Sequence, residues 1–124
     1  MQKKILLIED NTEIRENMSE ILSLADYEVF AAGDGKEGVT IALKELPDLI
    51  LCDIMMPVLD GYSVLSEIKK TKQISNIPVV MLTALGFELN KELAQNLGAA
   101  GYITEPVELA ELMQTVSRVL PLSK

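Results

Sequence analysis

Leu49-Ile50-Leu51-Cys52-Asp53-Ile54-Met55-Met56-Pro57-Val58-Leu59-Asp60-Gly61 is the stretch whose reading decides the fold. An apolar run, Leu49 to Cys52, ends abruptly on the carboxylate of Asp53. Pro57 and then Asp60-Gly61 mark a loop and a helix start. A short apolar run bounded by turn signals fits a strand covered on both faces. An acid at its C-terminal tip puts polar chemistry at the edge where open α/β sheets hold their ligands. Lys4-Ile5-Leu6-Leu7-Ile8 repeats the arrangement and runs into Glu9-Asp10. Two strands therefore aim three carboxylates at one end of a sheet.

The remaining chain supplies the frame. After the strand at 4–8, Asn11 or Thr12 caps a helix whose apolar face is Ile14, Met18, Ile21, Leu22 and Ala25. Tyr27 to Ala31 is a short strand, and Gly33-Asp34-Gly35 a turn. A second helix runs to about Glu45 with Val39, Ala42, Leu43 and Leu46 inward, and Pro47 stops it before the strand at 49–52. Gly61 opens a third helix with Val64, Leu65 and Ile68 inward, ending near Lys70, and Thr71 to Asn76 is a loop. Pro78 to Leu82 is a fourth strand, followed by Thr83-Ala84. Leu89, Leu93 and Leu97 stripe a fourth helix, with Gly98 as its C-cap. Gly101 to Ile103 is a fifth strand. After Pro106 a last helix turns Leu109, Leu112, Met113, Val116 and Leu120 inward, and Pro121 ends it. Strict strand–helix alternation with buried strands implies one doubly wound parallel sheet, helices on both faces and right-handed crossovers. Glu9, Asp10, Asp53 and Thr83 all follow strand C-termini, so fold and polar residues nominate the same place.

The totals narrow the chemistry. The 124 residues suit a single domain over 1–124. No apolar run is long enough for a membrane span or a signal peptide, so a cytoplasmic location is expected. Cys52 stands alone and reads as a small core residue rather than a reactive thiol. A net charge of −8 with scattered basic residues argues against direct nucleic-acid binding. The chain has no histidine, which removes the Ser-His-Asp and Cys-His mechanisms and most zinc sites. Carboxylates and a hydroxyl must carry any chemistry.

Three converging carboxylates are unfavourable unless something neutralises them. A hard divalent cation is the natural answer. Mg²⁺ takes oxygen ligands, binds through one or two carboxylates and leaves room for a phosphate oxygen. The backbone carbonyl of Met55 is within the same loop. The plain alternative is a set of solvated strand-end acids. A nucleotide site is rejected, because the first turn, Glu9-Asp10-Asn11-Thr12-Glu13, is acidic and lacks glycine. A carboxylate can also act as a nucleophile and form an aspartyl phosphate. Asp53, at the tip of the central strand, is the candidate, and the Thr83 hydroxyl could bind a phosphoryl oxygen.

With those residues in view, the chain resembles a receiver domain of a two-component response regulator, of the flavodoxin-like class. The marks are I-L-L-I-E-D-N at 5–11, D-L-I-L-C-D-I-M-M-P-V-L-D-G at 48–61, I-P-V-V-M-L-T-A at 77–84 and G-A-A-G-Y-I-T-E-P at 98–106. The resemblance implies a five-stranded sheet in the order 2-1-3-4-5. It implies Mg²⁺ (or Mn²⁺) held by Glu9, Asp10, Asp53 and the carbonyl of Met55. It implies Asp53 as phosphoacceptor, Thr83 as switch hydroxyl, Ala84 as the small residue that keeps the pocket open, and Tyr102 as switch aromatic. The phosphodonor would be a histidine kinase or phosphotransfer protein, which accommodates the missing histidine. The protein would be no enzyme beyond catalysing its own aspartyl phosphorylation and dephosphorylation. The face at about 86–120 would meet a downstream protein or form a homodimer. With Lys124 the last residue, the expectation is a receiver without an output domain, working alone or cut from a longer chain.

One position departs from the family. A near-invariant lysine is expected just before Pro106, and Glu105 stands there. Glu9, Asp10 and Asp53 with a lysine carry −2; with Glu105 they carry −4. A phosphoryl group adds roughly −1.5 to −2 more. The penalty falls hardest on the phosphorylated state, so impaired switching is expected. The alternatives are a degenerate receiver acting as a phosphorylation-independent interaction module, and an introduced change in a normal one. A small-substrate phosphohydrolase is weaker, because Met55 stands where a second acid would be needed.

Overall fold

A computed structural model describes residues 2–83, 91–104 and 108–120. The order is β1 (Lys4–Ile8), α1 (Thr12–Leu24), β2 (Glu28–Ala32), α2 (Gly35–Glu45), β3 (Leu49–Asp53), α3 (Gly61–Lys70), β4 (Val79–Thr83), α4 (Lys91–Asn96), β5 (Gly101–Thr104) and α5 (Leu109–Val119). All strand pairs are parallel and the sheet runs β2-β1-β3-β4-β5. This is the expected doubly wound topology. Chain order reverses between β1 and β3, which places a crevice at their C-terminal ends.

Side-chain alternation along the strands divides the core in two. Leu6, Ile8, Ile50, Cys52, Val79 and Met81 join one apolar cluster with Ala42, Val64, Leu65 and Ile68 of α2 and α3. Ile5, Leu7, Leu49, Leu51, Val80 and Leu82 join the other with Met18, Leu22, Leu112 and Val116 of α1 and α5. Both faces of the three central strands are therefore buried, which is why their sequences read as unbroken apolar runs.

The loops leaving β1, β2 and β3 share one device. Asn11, Asp34 and Asp60 cap α1, α2 and α3, their side chains accepting from the N–H of Ile14 (2.9 Å), Glu37 (2.8 Å) and Ser63 (2.9 Å). Each cap stabilises its helix by about 1 kcal/mol and fixes where the chain leaves the C-terminal edge. Asn11, rather than Thr12, is the cap of α1. At the far end of α4, Gly98 N–H reaches Gln95 O and Ala99 N–H reaches Ala94 O, the double closure expected of a glycine C-cap.

Three expectations about packing change. β2 begins at Glu28 rather than Tyr27. Leu43 and Leu46 of the second helix are exposed rather than inward. α2 packs closely through three buried small residues, Gly35, Gly38 and Ala42: a Cβ on Gly38 would lie 2.4 Å from the Ile8 side chain of β1, and one on Gly35 2.4 Å from the Val64 side chain of α3. So close an approach turns the larger side chains to the flanks. Leu46 also lies past the helix proper, as a left-handed C-cap with φ 48°. In α4, Leu93 is partly exposed and Ala94 is buried in its place. Leu89 lies outside the described residues.

Candidate functional site

Strand register builds the site. Ile8 lies opposite Cys52, so Glu9 and Asp53, the next residues, emerge side by side. Asp53 in turn pairs with Leu82, and Thr83 follows it on β4. Carboxylate oxygens of Glu9, Asp10 and Asp53 all lie within 4.8 Å of one another. Glu9 is 1% exposed and Asp53 5%, while Asp10 is open to solvent. The structure thus brings together the acids that the sequence singled out, two of them under the surface.

Local backbone geometry holds each acid. Glu9 N–H donates to Ala32 O (3.0 Å), tying the β1 tip to β2. Glu9 Oε2 accepts from Asn11 N–H (3.2 Å). Asp53 Oδ1 accepts from Met55 N–H (3.3 Å), so Met55 belongs to the same loop as the acids and its side chain projects outward. The loop closes where Gly61 N–H bonds Ile54 O (2.9 Å). A Cβ at residue 61 would stand 2.4 Å from the carbonyl oxygen of Asp53, so only glycine lets α3 start this close to the acid. Between them, Leu59 N–H bonds Pro57 O (2.7 Å) across Val58, which has φ 68° and is fully exposed. This tight turn around a β-branched residue is of the rare, strained kind.

Burial pushes the Cys52 thiol well above its ordinary value, and the Asp53, Glu9 and Asp60 carboxylates push it further. The thiol stays protonated and donates to Asp53 O (3.4 Å). Cys52 is therefore the inert core residue expected, and its environment registers the negative field of the pocket.

The donor set suits a hard cation: carboxylate oxygens only, two of them buried, one at the open side. A second feature points to an oxygen-rich guest. Thr83 Oγ1 is buried with no hydrogen-bond partner among the described residues, and buried hydroxyls rarely lack one. Tyr102 lies on the edge strand β5, opposite Met81 and 43% exposed. Glu105 and Ala84 lie outside the described residues, as do parts of the face expected at 86–120.

Sequence reasoning passed over Arg15. Its Nη1 donates to the backbone carbonyls of Glu9 (2.8 Å) and Asp10 (3.4 Å), and its Nη2 to Thr12 Oγ1 (3.3 Å). The signal was one cation five residues beyond the acidic pair. Among the described residues no helix is long and apolar enough to cross a membrane.

Comparison with known proteins agrees with this fold. The family model for the response regulator receiver domain matches residues 5–117. A probable transcriptional regulator, ycf27, of Cyanophora paradoxa is 41% identical over 96% of this chain and 48% of its own length; the chain spans about half the length of the curated relatives it matches. Chemotaxis protein CheY4 of Vibrio cholerae superposes with a TM-score of 0.91 at 31% identity, over 97% of this chain and 100% of that one. The receiver domain of a sensor histidine kinase from Pseudomonas aeruginosa, solved with a magnesium ion coordinated in its active-site cleft, has a TM-score of 0.86 at 32% identity, over 95% and 97%.

Proposed function

The chain belongs to the response regulator receiver family, and from that premise we propose that Asp53 accepts a phosphoryl group from a histidine kinase or phosphotransfer protein. The observation that carries this reading is the convergence of Glu9, Asp10 and Asp53 at the tips of adjacent strands. Glu9, Asp10 and Asp53, with the Met55 carbonyl, would hold Mg²⁺. That ion supplies the positive charge that lets anionic phosphoryl donor and carboxylate approach.

The chain's own residues do the rest. An Asp53 carboxylate oxygen attacks phosphorus; the new O–P bond forms as the P–N bond to the donor imidazole breaks, and the imidazole leaves with the electron pair and takes a proton. The Met55 N–H already donates to Asp53 Oδ1 and orients the carboxylate. The buried Thr83 hydroxyl, lacking a partner among the described residues, gains one when a phosphoryl oxygen arrives. Movement of Thr83 toward that oxygen would draw the half-exposed Tyr102 inward, a two-state shift of the face at about 86–120. That face would meet a downstream protein.

Glu105 in place of the family lysine favours a second reading: a receiver that contacts partners without being phosphorylated. The acidic cluster of Glu9, Asp10 and Asp53 and the buried Thr83 hydroxyl support retained phosphorylation, and the negative charge of Glu105 supports weakened switching. Intact-mass analysis after incubation with a small acyl-phosphate donor separates the two. A single phosphoryl adduct that requires Mg²⁺ and vanishes in Asp53→Ala supports the phosphoreceiver. An adduct in Glu105→Lys but none in the parent places the defect at Glu105. None in either leaves the interaction module.

A further inference from the structure

We infer that Arg15 is a positioning residue for the cation site, fixing the Glu9–Asp10 tip through its backbone carbonyls. The inference rests on the reading of Glu9, Asp10 and Asp53 as a cation site. Arg15 occupies the first turns of α1, its own N–H bonded to Asn11 O (2.9 Å). From there the guanidinium folds back over the end of β1. Nη1 bridges the carbonyls of Glu9 and Asp10, and Nη2 bonds Thr12 Oγ1. The turn after β2 closes on its other side: a Cβ on Gly33 would lie 3.4 Å from Nη1. Gly33 is itself held, its N–H donating to Glu37 Oε1 (2.7 Å).

The guanidinium therefore spans β1, the start of α1 and the β2–α2 turn. Among the contacts that fix Glu9 are its N–H on Ala32, its carboxylate on Asn11 and its carbonyl on Arg15. The Asp10 carbonyl shares the same nitrogen, so Arg15 constrains the peptide that carries the exposed carboxylate of the cluster. A planar fork with fixed donor directions suits this task better than an ammonium on a flexible stem.

Two effects of Arg15 on a bound cation have opposite signs. Its charge repels the cation and lowers affinity. Its grip on the backbone holds two carboxylates in place and raises affinity. Removing groups that orient metal ligands typically costs 10–100-fold in affinity. Arg15 makes its close hydrogen bonds to carbonyls and a hydroxyl rather than to the carboxylates themselves, so orientation dominates.

Calorimetric titration with Mg²⁺ alone decides the matter, at a temperature where every variant is fully folded. Asp10→Asn serves as the control for cation location. Arg15→Ala is expected to weaken binding about tenfold. Arg15→Lys, which keeps the charge and one donor nitrogen, falls between it and the parent. An unchanged or tightened affinity in Arg15→Ala, with Asp10→Asn weakened, overturns the role of Arg15 and leaves the cation site standing. Parent binding that is absent, or indifferent to Asp10→Asn, overturns both.

Discussion

Cys52 shows how a single position carries information about its surroundings. Strand periodicity alone marks it as buried, and the structure places it beside the carboxylates it precedes. Its raised pKa follows from burial first and from Asp53, Glu9 and Asp60 next. The linkage to stability has a definite sign. In the unfolded chain the thiol ionises near its ordinary value of 9.0; in the folded chain it stays protonated. The contribution is thus complete below that pH and is lost as pH rises above it, by up to about 1.4 kcal/mol per pH unit. Cys52→Ala is expected to flatten that alkaline decline in urea-unfolding free energy between pH 9 and 10.5, though the cavity lowers stability at every pH. A decline of equal slope in both proteins would contradict it. Arg15, and the close approach of Gly61 beyond its role as a helix start, were harder to see from sequence. Their importance lies in contacts with backbone atoms, the carbonyls of Glu9, Asp10 and Asp53, and backbone placement leaves no mark in apolar periodicity.

At the scale of elements, apolar pattern located the five strands and five helices seen among the described residues, because each strand is bounded by turn or cap residues. On α2 it placed Val39 and Ala42 correctly on the inner face but misplaced Leu43 and Leu46. There the leucines turn outward and Gly35, Gly38 and Ala42 face inward, since the contact surface is set by closeness of approach rather than by side-chain size. This reverses the usual expectation for a helical glycine. Gly38→Ala would gain roughly 1 kcal/mol in helix propensity, but its Cβ meets the buried Ile8 at 2.4 Å. Overpacking of that kind typically costs about 1–3 kcal/mol. Gly38→Ala is therefore expected to lower stability by about 1 kcal/mol, read as the urea midpoint, and Ile8→Val to recover part of the loss in the double variant. A Gly38→Ala protein more stable than the parent would show that the core yields freely there.

The whole molecule explains why the acids meet. None of Glu9, Asp10 and Asp53 is close to all the others in sequence; the 2-1-3-4-5 order and the Ile8–Cys52 register join them. The alternation of strands and helices made that edge legible from sequence, and the family resemblance supplied the strand order. What the sequence could not convey was depth: Glu9 and Asp53 are buried and Asp10 is not. A protein of net charge −8 that buries two such carboxylates side by side has a reason to take up a cation, and a ligand bound only by the folded state raises stability, by about 2.7 kcal/mol at a hundred times its dissociation constant. The most direct measurement is the thermal midpoint as a function of Mg²⁺ concentration, at constant ionic strength, for the parent and Asp53→Asn. The midpoint is expected to climb with the logarithm of Mg²⁺ in the parent and to stay nearly flat in Asp53→Asn. A flat response in the parent, or the same climb in both, would contradict cation binding at this site.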